Sequence, residues 1–211
     1  MVLNIMTHSN FPMKAMGQVH LANNITVHKS FDVRQPMSLC SMIGESQVTS
    51  RGLEWTVEGS VKVDEEIVWS SVSTMLHRCE TNIDRELKLT VMKEGAPQDW
   101  QVKSNMGRRY AKVSGDYNPI HLANVTAKLF GFKKATVHGM WSKARCLAML
   151  AEYLPDDGYT VDVNFHRPLF LPSKVLFYAK QNQGQTQFSL FNQTGEHAHL
   201  EGSILQDLTN A

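Results

Sequence analysis

The 211 residues are 42% hydrophobic and 19% charged with a formal net charge of +1, the profile of a globular chain able to bury a core. That balance excludes any global electrostatic case for a nucleic acid or an anionic membrane surface as partner. Three separated cysteines, Cys40, Cys79 and Cys146, form no CxxC pair and no disulfide framework, and no uninterrupted apolar run approaches the ~20 residues of a membrane-crossing helix.

The opening MVLNIMTHSNFPMKAMG lacks the basic region and continuous apolar core of a signal peptide, so a cytoplasmic location is expected. MVLNIM offers only the end of a helix. In GQVHLANNITVHK, Val19, Leu21, Ile25 and Val27 share one side of a period-2 pattern with Asn23. Leu53, Trp55 and Val57 alternate with Glu54, Thr56 and Glu58, and Val61 and Val63 continue that face. These patterns predict antiparallel strands with one buried face.

Near residues 80–99 the rhythm changes. ETNIDREL and KEGAPQDW, rich in charge, Gly and Pro, flank a short apolar stretch from Leu87 to Met92 and read as a connector. The division expected is therefore an N-terminal unit over 1–85, a connector over 86–99 and a second unit over 100–211.

In the second unit one helix is predicted to begin at Gly139, with Met140, Ala144, Leu147, Ala148 and Ala151 forming an apolar stripe and Pro155 ending it. Strands then resume. Tyr159, Val161, Val163 and Phe165 alternate, VLFYA is an apolar β-rich run, and QFSLF and HAHLEGSIL finish the chain. One helix among many antiparallel strands predicts an α+β fold with the helix packed on a curved sheet.

The stretch with chemical content is YAKVSGDYNPIHLANVTAKLFGFKKATVHG, Tyr110 to Gly139. SGDYNP favours a turn, and Pro119 restricts Asn118 to extended backbone. Asp116 and His121 thus sit on a stiff loop, where two groups able to transfer protons suit general acid–base work. Asn118 lies between them with donors and acceptors to offer. An Asx-turn in which Asp116 caps backbone is the plainer account of the same residues. Val137-His138-Gly139 opens the helix, whose free amides form a ready site for negative charge. His197 and His199 share a strand face with no evident carboxylate or Cys partner, so no metal site is expected there or at His77 and Cys79.

YAKVSGDYNPIH, followed by LFGF and VHGMW, resembles the MaoC-like dehydratases, the group containing (R)-specific enoyl-CoA hydratases (hydratase 2). HRPLFLPSKV resembles the segment after their helix, and NFPMKAMGQVHLANNITVHK resembles the degenerate N-terminal unit of the two-unit members. The resemblance implies a double hot-dog fold, a helix wrapped by a curved antiparallel sheet; the chain departs from the two-unit pattern in that no full strand-plus-helix precedes Gly17, so a shortened N-terminal unit is expected. It implies that Asp116 and His121 are catalytic with Asn118 in support, and that the Gly139 amide faces a thioester carbonyl. His138, Met140, Ser114 and Tyr117 are the implied substrate contacts. No metal or redox cofactor is called for, because the substrate carries its own CoA or phosphopantetheine. Lys133 and Lys134 stand where the family is more apolar and could meet a phosphate. The expected function is a hydro-lyase interconverting 2-enoyl and (R)-3-hydroxyacyl thioesters, on CoA or acyl carrier protein. The alternatives are a hot-dog thioesterase and a non-catalytic acyl-thioester-binding protein. A homodimer, or pairing of the two units within the chain, is expected because a lone sheet leaves an unpaired edge.

Overall fold

The computed structural model describes residues 5–14, 17–84 and 90–206. Nine antiparallel strands form one continuous sheet in the order β2-β3-β4-β1-β6-β9-β8-β7-β5. The N-terminal half supplies β1 (Val19–Val27), β2 (Ser38–Thr49), β3 (Gly52–Val63) and β4 (Glu66–His77). The rest supplies β5 (Gln98–Val102), β6 (Tyr159–Phe165), β7 (Ser173–Asn182), β8 (Gln185–Asn192) and β9 (Ala198–Gln206). The halves join where β1 pairs with β6, from Ala22 opposite Asn164 to Val27 opposite Tyr159. Intramolecular pairing thus covers an edge that each half would otherwise leave open.

The alternation matches the buried face in the middle of β3 and β6, whereas in β1 Val19, Leu21, Ile25 and Val27 are half-buried and Asn23 is the buried member. Trp55, Val57 and Val61 of β3 are buried, as are Val161 and Val163 of β6. The larger core gathers Val161, Val163, Val175, Phe177, Phe188, Leu190, Leu200 and Ile204 from the strands against Cys146 and Leu150. Cys146 belongs to α3 (Gly139–Met149), and Leu150 ends that helix. This is the helix-on-sheet arrangement of the hot-dog fold. A smaller core surrounds Trp55, Val57 and Met75, covered by Met6 with Ile5, Phe11 and Met13. Residues 5 and 6 are helical, in keeping with a helix end in MVLNIM. Strand β5 starts at Gln98, inside the stretch read as connector, and pairs with β7 at the sheet edge. Residues 85–89 lie outside the described ones, and Met92 is exposed.

Two helices went unforeseen: α1 (Met106–Ser114) and α2 (Asn124–Leu129). The face of α3 also differs from the expected stripe. Ala144, Ala148 and Ala151 are exposed, whereas Ser142, Lys143, Cys146 and Leu150 are buried. Hydropathy assigns Ser and Lys outward, and here both turn inward.

Candidate active site

The loop that carries Asp116 and His121 is built by local backbone chemistry. Helix α1 ends at Gly115, which adopts a left-handed conformation (φ 73°) and whose N–H donates to the Ala111 carbonyl. Ser114 Oγ donates to the Tyr110 carbonyl at 3.0 Å and accepts from the Asp116 N–H at 3.2 Å. Asp116 Oδ1 accepts the Asn118 N–H at 3.0 Å, an Asx-turn that aims the carboxylate. Asn118 Oδ1 in turn accepts from Ile120 N at 3.3 Å and starts a 3₁₀ turn over Pro119–His121. The Asn118 side chain therefore shapes the turn, and its backbone N–H orients Asp116. On the other side Gly107 of α1 lies so close to this turn that a Cβ there would meet the His121 carbonyl oxygen.

Asp116, His121 and His138 each bring a donor atom within 4.8 Å of the others. His121 Nδ1 lies 2.9 Å from the Thr136 carbonyl and 3.2 Å from its hydroxyl. A carbonyl only accepts, so Nδ1 carries the proton and Nε2 keeps a lone pair. His138 Nε2 likewise donates to the Asp116 carbonyl at 2.9 Å and lies 3.7 Å from Asp116 Oδ2. That tautomer leaves His138 Nδ1 as a buried lone pair with no partner among the described residues. The two imidazoles stack at 3.7 Å, and the Tyr110 ring tilts against His138 at 5.1 Å.

Burial biases both rings toward the neutral form. Burial holds His121 well below its ordinary value, and the neighbouring His138 pushes the same way, against the Thr136 carbonyl and the Asp116 charge. Burial also lowers His138, opposed by the Asp116 carbonyl and carboxylate. By residue type the three donors could hold a divalent cation, although His121 Nδ1 and His138 Nε2 are already engaged with carbonyls.

Helix α3 begins beside this trio, with His138 as its N-cap residue. Its first intrahelical bond runs from Ser142 N to the His138 carbonyl at 3.3 Å. The amides of Gly139, Met140 and Trp141 thus have no acceptor within the helix. A Cβ on Gly139 would sit 3.2 Å from Cε1 of Phe165, so a larger residue there would press the Phe165 ring back by a few tenths of an ångström. Asp116, His121, His138, Gly139 and Met140 all line one groove of about 2490 Å³, with Ser114 and Asn118 at its wall. The N-terminal half also lines this groove, through Val19, His20 and Ser73 among others.

Tyr117 is 57% exposed and is not among the groove-lining residues, so the structure does not bring it to the others. Lys133 and Lys134 are exposed and also stand outside that lining. His197 is exposed, while His199 is half-buried with Nδ1 donating to the Arg167 carbonyl at 3.1 Å. Thr136 and Tyr110 escaped sequence reasoning as partners of the two histidines. Their only signal was position, one beside VHG and one opening the loop.

The family model described as "MaoC like domain" matches residues 79–201, more than half of the chain. The chain belongs to this family. It is 30% identical over 207 residues to 3-hydroxyacyl-thioester dehydratase X of Mycobacterium tuberculosis, spanning 96% of this chain and 74% of that protein. The crystal structure of HtdX from the same organism superposes with a TM-score of 0.83 at 29% identity, covering 97% of this chain and 82% of that one. A MaoC-like dehydratase from Phytophthora capsici shares the fold at a TM-score of 0.74 and 16% identity, over 90% of this chain and 71% of its own. The matched segment of this MaoC-like chain contains Asp116, His121, His138 and Gly139, and the similarity to HtdX extends over the N-terminal half as well. Among the described residues no helix is long and apolar enough to cross a membrane.

Proposed function

We propose that the chain is a hydro-lyase that adds water to 2-enoyl thioesters and removes it from (R)-3-hydroxyacyl thioesters. The observation that carries the reading is the meeting of a carboxylate and a neutral imidazole, within 4.8 Å, beside the open amides of a helix N-terminus. The thioester carbonyl would accept hydrogen bonds from the Gly139 region of α3. Those bonds strengthen as enolate charge grows on the oxygen, and one such donor is worth about 2.7–4 kcal/mol of barrier.

Asp116 and the Nε2 lone pair of His121 are both acceptors, so a water between them places one O–H on each and directs an oxygen lone pair at C3. As the C3–O bond forms, the water proton passes to this pair and the C2=C3 electrons move onto the thioester oxygen. The same pair then returns the proton to C2, giving the 3-hydroxyacyl product, and dehydration reverses each transfer. His138 holds the Asp116 carbonyl and Thr136 holds His121, so both act as positioning residues. The chemistry is redox-neutral and asks for no metal or cofactor beyond the substrate's own CoA or phosphopantetheine. The pairing of β1 with β6 supplies a two-unit arrangement in one chain, and three free thiols, two of them exposed, suit a reducing cytoplasm.

The test is the loss of conjugated enoyl absorbance when the purified protein meets short, medium and branched trans-2-enoyl-CoA esters. Turnover by the parent, with a loss of about 10²–10⁴ in kcat in Asp116→Asn and His121→Gln, supports the reading. An inert parent overturns it, and release of free thiol instead of hydration selects the thioesterase.

A further inference from the structure

Lys143 is 2% exposed, among the largest fully buried side chains of the molecule. Its Nζ donates to Asn23 Oδ1 at 2.7 Å, to the Asn23 carbonyl at 3.1 Å and to the Val161 carbonyl at 3.3 Å. Three donors meet three acceptors, so the ammonium is saturated, and every acceptor is neutral. The nearby Asp162 carboxylate instead accepts from Asn24 Nδ2 at 3.1 Å. Asn23 is itself buried, with Nδ2 donating to Ser73 Oγ at 3.0 Å. The chain of contacts runs from β4 through β1 to α3 and β6.

Stability does not account for this lysine. Burying a charge among neutral partners is costly, and a Met or Leu of similar volume would fill the space without that penalty. A cation in the second turn of a helix is also disfavoured by the partial positive charge of the helix N-terminus. Burial pushes the amine down to about 7, with Asp162 opposing, a measure of how unwelcome the charge is. What the residue does have is position. Helical side chains lean toward the N-terminus, so Lys143, four residues after Gly139, reaches back along the first turn of α3.

We propose that Lys143 is a positioning residue for the reaction, a pin that fixes the first turn of α3, and with it the amides facing the thioester carbonyl, to β1 of the N-terminal half. The inference rests on the hydro-lyase reading above and extends it, because it gives the N-terminal half a share in catalysis through Asn23. Oxyanion donors act only when held in place, and misplacement by about an ångström is enough to slow chemistry about a hundredfold.

The full-length protein with Lys143→Met, Asn23→Leu or Asn23→Asp decides the matter by steady-state hydration of a trans-2-enoyl-CoA together with deuterium exchange of the Ser142–Cys146 amides, the first hydrogen-bonded ones of α3. Lys143→Met and Asn23→Leu should lower kcat about 10–100-fold with KM within about threefold of the parent, and exchange at the helix start should quicken. Asn23→Asp keeps an acceptor for the ammonium and should recover most of what Asn23→Leu loses. Unchanged kcat, or no recovery in Asn23→Asp, overturns the proposal. If Lys143→Met does not fold, Asn23→Leu and Asn23→Asp decide between the same two outcomes by the same readouts. If the parent itself hydrates no enoyl thioester, the hydro-lyase reading fails on its own, and exchange at the helix start, unchanged from the parent in either variant, would still overturn the pin.

Discussion

Gly107 offers a substitution on which two physical arguments disagree in sign. It lies inside α1, where replacing Gly by Ala ordinarily adds about 1 kcal/mol of helix stability. A Cβ at this position, however, would collide with the His121 carbonyl oxygen and lie 3.0 Å from its carbonyl carbon and 3.4 Å from its Cα. All three atoms are backbone, so no side chain can rotate away. Either α1 or the Pro119–His121 turn must shift, by on the order of 1 Å to restore ordinary contact. Overpacking of this kind costs about 1–3 kcal/mol, which exceeds the propensity gain. A shift of that size at His121 lengthens its bonds to Thr136 and carries Nε2 away from Asp116, with an expected loss of about 10²-fold in kcat. Gly107→Ala should therefore unfold at a lower temperature and hydrate enoyl thioesters about a hundred times more slowly. Thermal melts followed by circular dichroism, with steady-state rates measured well below the transition, check both halves. A variant that melts higher than the parent at full rate would refute the packing argument and leave propensity as the controlling term.

Acid should destabilise the protein through its buried histidines. Burial lowers His20 from 6.5 to about 4, so between these values the unfolded chain takes up a proton that the folded state refuses. Stability is complete above about 6.5 and is lost as pH falls toward 4, by roughly 3 kcal/mol from this residue alone. Urea titrations at pH 7 and pH 4 should show His20→Gln losing correspondingly less stability than the parent. Exhaustive chelation followed by gel filtration should leave hydration at the parent rate; a loss restored by added divalent cation would reassign Asp116, His121 and His138 as ligands. Gly139→Ala presses on the Phe165 ring, itself packed 5.0 Å from His20, and should lower kcat about tenfold without abolishing folding.

What could be read from residues alone follows the size of the buried side chains. Strands β1, β3 and β6 announced themselves because Val, Ile and Trp alternate with polar residues, a pattern set by the pleat. Helix α1 did not, since it buries only Gly107 and Ala111, which add little hydrophobic signal among two arginines and a lysine. Helix α3 was legible in its start and misread in its face, because its inward residues include Ser142 and Lys143. The site divides in the same way. Turn-forming residues pointed to the Asp116–His121 loop, and the helix start pointed to Gly139. The partners that choose each tautomer, the Thr136 and Asp116 carbonyls, are backbone atoms that any residue could provide.

Asn23 shows why one half of the chain cannot be interpreted without the other. It stands among Val19, Leu21, Ile25 and Val27 in the pattern of β1, an amide at a position that should hold a hydrophobe. Within the N-terminal strands alone it is an error in an otherwise apolar series, relieved only in part by Ser73. Its Oδ1 finds the strongest partner it has 120 residues later, in Lys143 of α3. Two residues that each break the local rule satisfy one another only when β1 pairs with β6 and α3 lies across both. A buried polar pair of this kind disfavours any other register between the halves, since a slip by one residue would leave an ammonium and an amide without partners. The junction that brings the N-terminal half into the same groove as His121 is therefore specified by its least hydrophobic members.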